Sequence, residues 1–329
     1  MDDVPTYLLV AISILASFLV CRRAVGWAIP RLRSKGIVAV DIHKSDGRNV
    51  ANMGGIAILA GYAAGLTLLA AVDLKLLTTI LAALATIMLV TMMGMIDDMV
   101  DLSQRTKALL PLAASLPLMM VLIQERTILL PLVGNLELGA LYPFLLVPIG
   151  LAGASNLTNM LAGFNGLEAG MGLIATGSLA LAALASGNET GALLIAPMIG
   201  ALGAFLLKNK YPAKILPGNS GTYAIGAAIA CAVMLGDMEV IGVICLIPYV
   251  AEFLVKAKSG FTGQCFGMLQ PDGTLQSPNP PKSLTHMLMR RGRYTERELV
   301  IRFWLIEAFF GALAVVVSYT SLYYRLVHW

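Results

Sequence analysis

Apolar residues run through this chain in long, nearly unbroken stretches, unlike the short alternations of a half-buried sheet or the one-sided stripes of a soluble helix. Crossing a hydrocarbon core as a helix takes about 20 mostly apolar residues. Such stretches lie at about 4–28, 54–72, 76–96, 108–124, 141–162, 169–187, 190–207, 218–236, 238–256 and 302–324. The pattern therefore predicts an all-α polytopic membrane protein with about ten transmembrane helices, a single integral membrane domain over 1–329. Two interruptions read as small hairpins. In 125–140, Leu129, Leu130, Leu132, Leu136 and Leu138 flank Gly134-Asn135. In the longest connection, 257–301, Gln270-Pro271-Asp272-Gly273-Thr274 reads as a hairpin turn. The same connection carries apolar and basic residues from Lys282 to Arg293 that suit a helix lying in the headgroup plane, and a Thr295/Glu298 capping box that starts the last span.

Composition narrows the class. Hydrophobic residues make up 58% and charged residues 13%, against about 45–50% and about 25% in soluble domains, which excludes a soluble protein and a disordered one. A net charge of +4, scattered along the chain, gives no basic patch for nucleic acid. Cys21, Cys231, Cys245 and Cys265 show no paired spacing, and the three histidines form no cluster, so neither disulfides nor zinc is expected. The first stretch opens with Asp2 and Asp3 and lacks a small-residue cleavage site, so it reads as a span and not as a cleaved signal peptide.

Charge also orients the chain. Residues 22–48, 97–107, 208–214 and 256–302 together hold 20 of the 23 lysines and arginines, leaving Lys75, Arg126 and Arg325 on the other side. By the positive-inside rule those four segments face the cytoplasm, and both termini are extracytoplasmic. The polar chemistry gathers on the cytoplasmic side.

Five segments on that side can carry a reaction. Met95-Ile96-Asp97-Asp98-Met99-Val100-Asp101 ends the third span; on a continuing helix Asp97 and Asp101 share a face, with Asp98 beside them. Clustered carboxylates repel, and a divalent cation or a proton relieves that; the plainer reading is a solvated helix end. Asn156-Leu157-Thr158-Asn159 and Gly163-Phe164-Asn165-Gly166-Leu167-Glu168 lie between the fifth and sixth spans. Carboxamides offer donors and acceptors and glycines admit a ligand close to backbone, although small residues also serve helix packing. Leu216-Pro217-Gly218-Asn219-Ser220-Gly221 leads into a helix whose N–H groups suit an anion or a plain N-cap. Asp41, Lys44, Asp46 and Arg48 could hold a lipid phosphate or merely enforce topology. His286 stands alone in the last cytoplasmic connection, where a structural role competes with a catalytic one.

Taken in order, Asp-Ile-His-Lys-Ser-Asp before Met-Gly-Gly, Asp-Asp-Met-Val-Asp-Leu-Ser-Gln-Arg-Thr-Lys, Asn-Met-Leu-Ala-Gly-Phe-Asn-Gly-Leu-Glu-Ala-Gly and Tyr-Pro-Ala-Lys-Ile-Leu-Pro-Gly-Asn-Ser-Gly-Thr-Tyr resemble the polyprenyl-phosphate N-acetylhexosamine-1-phosphate transferase superfamily. The branch acting on UDP-N-acetylglucosamine (UDP-GlcNAc) and dolichyl phosphate is the nearest, in its archaeal form. The resemblance implies a Mg²⁺-dependent enzyme, with Mn²⁺ as an alternative, in a prokaryotic cell membrane. It would transfer GlcNAc 1-phosphate to a polyprenyl or dolichyl phosphate, release UMP and begin assembly of an N-glycan-type lipid-linked sugar. It further implies catalytic roles for Asp97, Asp98 and Lys107, and metal ligation by Asp98, Asn159 and Asn219. Substrate contacts would involve Gly163, Asn165, Glu168, Leu216, Lys44 and His286. Asn219 departs from the family, which usually has an aspartate there, so one negative charge is missing from the expected ligand set. Membrane lipids are expected partners, and a homodimer is an assembly the resemblance allows. A transporter of nucleotide sugars or lipid-linked sugars is the competing class; its binding groups would sit near the bilayer midplane in paired repeats, which this sequence does not show.

Overall fold

The computed structural model describes residues 4–123, 126–130 and 134–327, with side chains described except at 126–130, 134–135 and 320–327. The chain runs through α1 (Thr6–Ser34), a hairpin of β1 (Val38–Val40) and β2 (Asn49–Ala51), α2 (Gly55–Val72), α3 (Leu77–Val100), α4 (Gln104–Ala114) and α5 (Leu116–Val121). A second hairpin follows, β3 (Arg126–Leu130) with β4 (Gly134–Gly139), then a π-helical turn (Tyr142–Leu146) leading into α6 (Val147–Met160). Next come α7 (Leu167–Ala185), α8 (Glu189–Asn209), α9 (Gly218–Leu235), α10 (Glu239–Cys245) and α11 (Ile247–Lys258). The last connection holds β5 (Met268–Leu269), β6 (Thr274–Gln276), α12 (Leu284–Met289) and β7 (Tyr294–Thr295) before α13 (Glu296–Val327). All strand pairs within the sheets are antiparallel, β5-β6-β7 forming a three-stranded sheet. Residues 131–133, which include the predicted Leu132, and the Asp2-Asp3 start lie outside the described residues.

Among the described residues seven helices are long and apolar enough to cross a membrane, and an eighth if α10 and α11, bent by 62°, count as one span. This is a polytopic membrane protein. The other two predicted stretches are helical but irregular: 108–124 becomes α4 and α5, joined at Ser115 in helical φ/ψ, and 141–162 becomes the π-helical turn running directly into α6. At 14 residues, α6 alone is about 21 Å long, short of the roughly 30 Å core. A proline stands at each of these three irregularities. Pro117, Pro148 and Pro248 stand second in α5, α6 and α11, where the missing N–H and the ring's clash with the preceding turn disturb a regular helix.

The core centres on α9. Its best apolar window is 89% buried, against 28% for α13 at the periphery. α9 packs against α3, α6, α2 and α8, and its small residues permit close approach: a Cβ on Gly226 would meet the Ala154 carbonyl of α6. Thr158 of α6 donates to the Thr222 carbonyl of α9 at 2.8 Å, locking the two helices near their ends. α9 thus delivers its N-terminus to the place where α3 and α6 end.

Candidate functional site

α3 stops at Val100 because Asp101 turns to φ +48° and caps it; the helix does not continue through the acidic run. Asp97 faces inward, 3% exposed. Its Oδ1 accepts the Leu102 N–H at 2.8 Å and pairs with Lys107 Nζ at 2.9 Å. Lys107 also reaches Asp101 at 3.1 Å, so one cation bridges the helix end and the start of α4. Asp97 Oδ2 is buried without a hydrogen-bond partner.

Asp98 takes a different job. Its Oδ1 accepts the Asn219 N–H at 2.7 Å and its Oδ2 the Ser220 N–H at 3.1 Å. The N–H groups that the sequence offers to an anion at the start of α9 are thus met by Asp98 itself, the favourable end of the helix dipole for a carboxylate. The fit explains Gly218: its φ is +67°, and a Cβ there would lie 2.5 Å from Asp98 Oδ2. One turn into α9, Thr222 Oγ1 donates to Asn159 Oδ1 at 2.7 Å. Asp97, Asp98, Lys107, Asn159 and Asn219, drawn from three connections, are therefore joined in one cluster at one end of the bundle.

The segment after Asn159 carries the site sideways. Gly163, at φ +110°, lies against the Phe266 ring, which occupies the space a Cβ would need. Its N–H donates to Glu168 Oε1 at 2.7 Å; Glu168 Oε2 is buried and unpartnered. Asn165 is buried, accepting the Ala213 N–H at 2.6 Å and donating its own N–H to Glu296 Oε1 at 2.7 Å. Leu216 is fixed through its backbone, its N–H to the Ala51 carbonyl at 2.8 Å and its carbonyl to the Gly54 N–H at 2.9 Å.

Lys44 is buried and already neutralised. Its Nζ contacts Glu296 Oε2, lies 3.4 Å from Asp41 Oδ2 and sits 4.1 Å above the Tyr211 ring. His43 beside it is 4% exposed, stacked on Phe164 with ring centroids 4.6 Å apart and planes at 9°, and edge-on to Phe266 at 5.7 Å. Neither ring nitrogen has a hydrogen-bond partner; Glu296 Oε1 is 3.9 Å from Nδ1. Burial, and then the Lys44 charge, push the imidazole pKa down to about 4, with Asp41 opposing. Leaving such buried polar groups unmade costs about 1–3 kcal/mol.

His286 is the opposite case. Its Nδ1 accepts the Lys282 N–H at 3.1 Å, so Nε2 is the donor to the Phe266 carbonyl at 2.8 Å. Burial lowers its pKa as well. Both nitrogens are spent on backbone, and the residue pins Phe266. Glu252 of α11, fully buried, completes that support: it accepts from Ser283 Oγ at 3.0 Å, the Leu284 N–H at 2.7 Å and Cys265 Sγ at 3.4 Å, and pairs with Lys256.

Sequence reasoning missed His43, Glu296, Phe266, Thr222 and Glu252. His43 had a signal, lying between Asp41 and Lys44 in a quoted motif. Glu296 was masked by the capping box, which does form: Thr295 donates to Glu298 Oε2 from both N and Oγ1 at 2.9 Å.

The sequence matches glycosyl transferase family 4 over residues 80–237. That span holds Asp97, Asp98, Lys107, Asn159, Gly163, Asn165, Glu168, Leu216 and Asn219, and leaves out His43, Lys44, His286 and Glu296. A protein of Saccharolobus solfataricus is 37% identical over 96% of this chain and 98% of its own length. One of Sulfolobus acidocaldarius is 37% identical over 93% and 95%. Both carry the provisional name UDP-N-acetylglucosamine–dolichyl-phosphate N-acetylglucosaminephosphotransferase. A phospho-N-acetylmuramoyl-pentapeptide-transferase of Shouchella clausii is 33% identical over 55% of this chain and 53% of its own length.

Proposed function

The chain belongs to glycosyl transferase family 4, and we propose that it transfers GlcNAc 1-phosphate from UDP-GlcNAc to a dolichyl or other polyprenyl phosphate, releasing UMP. The observation that carries this reading is the joining of Asp97, Asp98, Lys107, Asn159 and Asn219 around the start of α9. The names of the two archaeal relatives supply the substrates.

The chemistry follows from charge. An oxygen of the lipid phosphate attacks the β-phosphorus of the donor; the bond from that phosphorus to the oxygen bridging toward the α-phosphate breaks, and UMP leaves with the electron pair. The attacking phosphate is largely ionised at neutral pH, its second pKa being about 6, so positioning and neutralisation matter more than a strong base. Lys107, anchored by Asp97 and Asp101, supplies a fixed positive charge beside the acidic run. Asp98 holds the α9 N-terminus rigid, so that Asn219 and Asn159 present their amides from a fixed scaffold.

Magnesium fits this donor set. The candidate ligands are all oxygens, as a hard divalent cation requires, and Asp97 Oδ2 is a buried carboxylate oxygen without a partner. Among the described residues no group of three or more His, Cys, Asp or Glu could hold a metal, so Asn159 and Asn219 would complete a set begun by Asp97 and Asp98. When bound, Mg²⁺ (or Mn²⁺) would offset the negative charge of the diphosphate.

The distribution of 20 of 23 basic residues supports a reaction centre facing the cytoplasm and an even number of crossings with extracytoplasmic termini, and the archaeal relatives support an archaeal-type cell membrane. The soluble nucleotide sugar then arrives from the cytoplasm while the acceptor's tail stays in lipid. The test is purified protein in nanodiscs with radiolabelled UDP-GlcNAc, dolichyl phosphate and Mg²⁺. Label entering the organic phase with equimolar UMP is the expected result. Label that instead accumulates inside proteoliposomes, with no UMP, would replace the enzyme by a carrier.

A further inference from the structure

Two ends of the site differ in kind. At one end are Lys107 and the carboxylates of Asp97 and Asp98, suited to phosphates and a cation. At the other end the cation Lys44 is enclosed by Glu296 and Asp41, and the remaining carboxylate, Glu168, is buried with Oε2 unpartnered. What remains there is an aromatic wall, Phe164 and Phe266, and a buried imidazole whose two nitrogens have no partner. The segment from Asn159 to Glu168 runs from one end to the other.

His43 and His286 make the contrast that decides the matter. Both are buried, yet His286 spends both nitrogens on backbone, as a structural histidine does, and His43 spends neither. Stacking on Phe164 fixes the ring plane without using its hydrogen-bonding edge. A ring neutral at working pH offers one donor and one acceptor, a set that suits an uncharged polar ring and not a phosphate. Phe266, which flanks the ring edge-on, is itself half-buried and belongs to the connection between α11 and β5.

We propose that His43 is a donor-recognition residue, hydrogen-bonding an uncharged ring of the nucleotide sugar, either its nucleobase or its acetamido sugar, and thereby setting donor affinity. Glu296 is the positioning residue behind it, holding Lys44, the Asn165 backbone and the Nδ1 side of the imidazole in one frame. The proposal rests on the transferase reading above and adds a residue from the first connection, outside the matched family span.

His43→Phe separates recognition from packing, because it keeps the stacked ring and removes both nitrogens. If His43 only packs, the variant equals or exceeds wild type in stability and transfers sugar with unchanged KM. If His43 recognises the donor, KM for UDP-GlcNAc rises about tenfold, the factor expected for the loss of a hydrogen bond. In that case kcat and KM for dolichyl phosphate move less than twofold. Inhibition by UMP distinguishes the two rings: a parallel loss of UMP affinity assigns the contact to the nucleobase, and an unchanged UMP inhibition constant assigns it to the acetamido sugar. Should His43→Phe fail to accumulate, His43→Gln against His43→Leu makes the same comparison, with Gln expected nearer to wild type in KM. Unchanged donor KM and UMP inhibition, or a fall in kcat alone, overturns the proposal. Absence of lipid-linked label from the wild-type protein overturns the transferase reading, and this inference with it.

Discussion

Asp98 and Asn219 are 121 residues apart and share a hydrogen bond of 2.7 Å, from the Asn219 N–H to Asp98 Oδ1. The contact makes the second aspartate of the acidic run the cap of the central helix, and couples the integrity of α9 to the reaction centre. Asp98→Asn puts an amide NH₂ against a backbone N–H, so both functions suffer. We expect UMP release to fall about 100-fold or more, with the melting midpoint dropping by a few degrees, as for a lost cap worth about 1 kcal/mol. Asn159→Ala should lose a comparable share of activity while melting closer to wild type than Asp98→Asn does, since Asn159 holds α9 through the Thr222 and Tyr223 side chains and not through the helix cap. Near-normal turnover in either variant would remove that residue from the site.

Asn219→Asp adds the negative charge that the family resemblance leads one to expect at this position without disturbing the α9 cap, because the cap uses the Asn219 backbone N–H and not its side chain. The variant should remain active and reach half-maximal rate at a lower Mg²⁺ concentration, by roughly three- to tenfold for one added charged ligand. Titration of initial rates against free Mg²⁺ checks this. Complete inactivity would mean that the side chain at 219 faces something other than a cation.

The lipid environment made much of the fold readable. Long apolar runs can only be spans or cores, so the polytopic class and the polar ends of α3, α6 and α9 are visible without coordinates. The irregularities were visible too, in Pro117, Pro148 and Pro248, but hydropathy averages across a proline and hides them. What stayed hidden is long-range. Nothing near Asp98 shows that its partners are backbone groups of residues 219 and 220, and nothing near Lys44 shows that Glu296, 252 residues on, neutralises it. Lys44 looked like a surface cation because its neighbours Asp46 and Arg48 are surface groups. His286 looked like a site residue for want of other histidines in its connection.

The Lys44–Glu296 pair sets up a reciprocal test. Both side chains are buried, so removing one strands the other in a low-dielectric place, at a cost of about 3–5 kcal/mol. Glu296→Gln keeps an acceptor for the Asn165 N–H and loses the charge; Lys44→Met keeps the volume and loses the cation. Each alone should lower the melting midpoint by several degrees and weaken donor binding. The double variant should recover much of the stability, because no unpaired charge remains beyond Asp41, and less of the donor affinity. Additive losses in the double variant would show that the two side chains act independently.

The last expectation concerns acid. The His43 imidazole is held neutral in the folded protein, with its pKa down at about 4 against an ordinary 6.5, through burial first and the Lys44 charge second, Asp41 opposing. Between those two values the unfolded chain binds a proton that the folded one refuses, so the unfolded state holds more protons and stability rises with pH. The contribution is therefore complete above about pH 6.5, is lost as pH falls through the window, and changes no further below about pH 4. A displacement of this size corresponds to about 3 kcal/mol over the whole window. Asp41, Lys44 and Glu296 face the ring and are retained in the variant, so the informative quantity is the difference between the two proteins. Melting midpoints of wild type and His43→Phe, measured from pH 4 to pH 8 in the same detergent, should converge above pH 7 apart from a constant offset. They should separate steadily as the medium is acidified, with the wild type losing more. Parallel curves over that range would mean that the imidazole takes up its proton in the folded protein as readily as in the unfolded one.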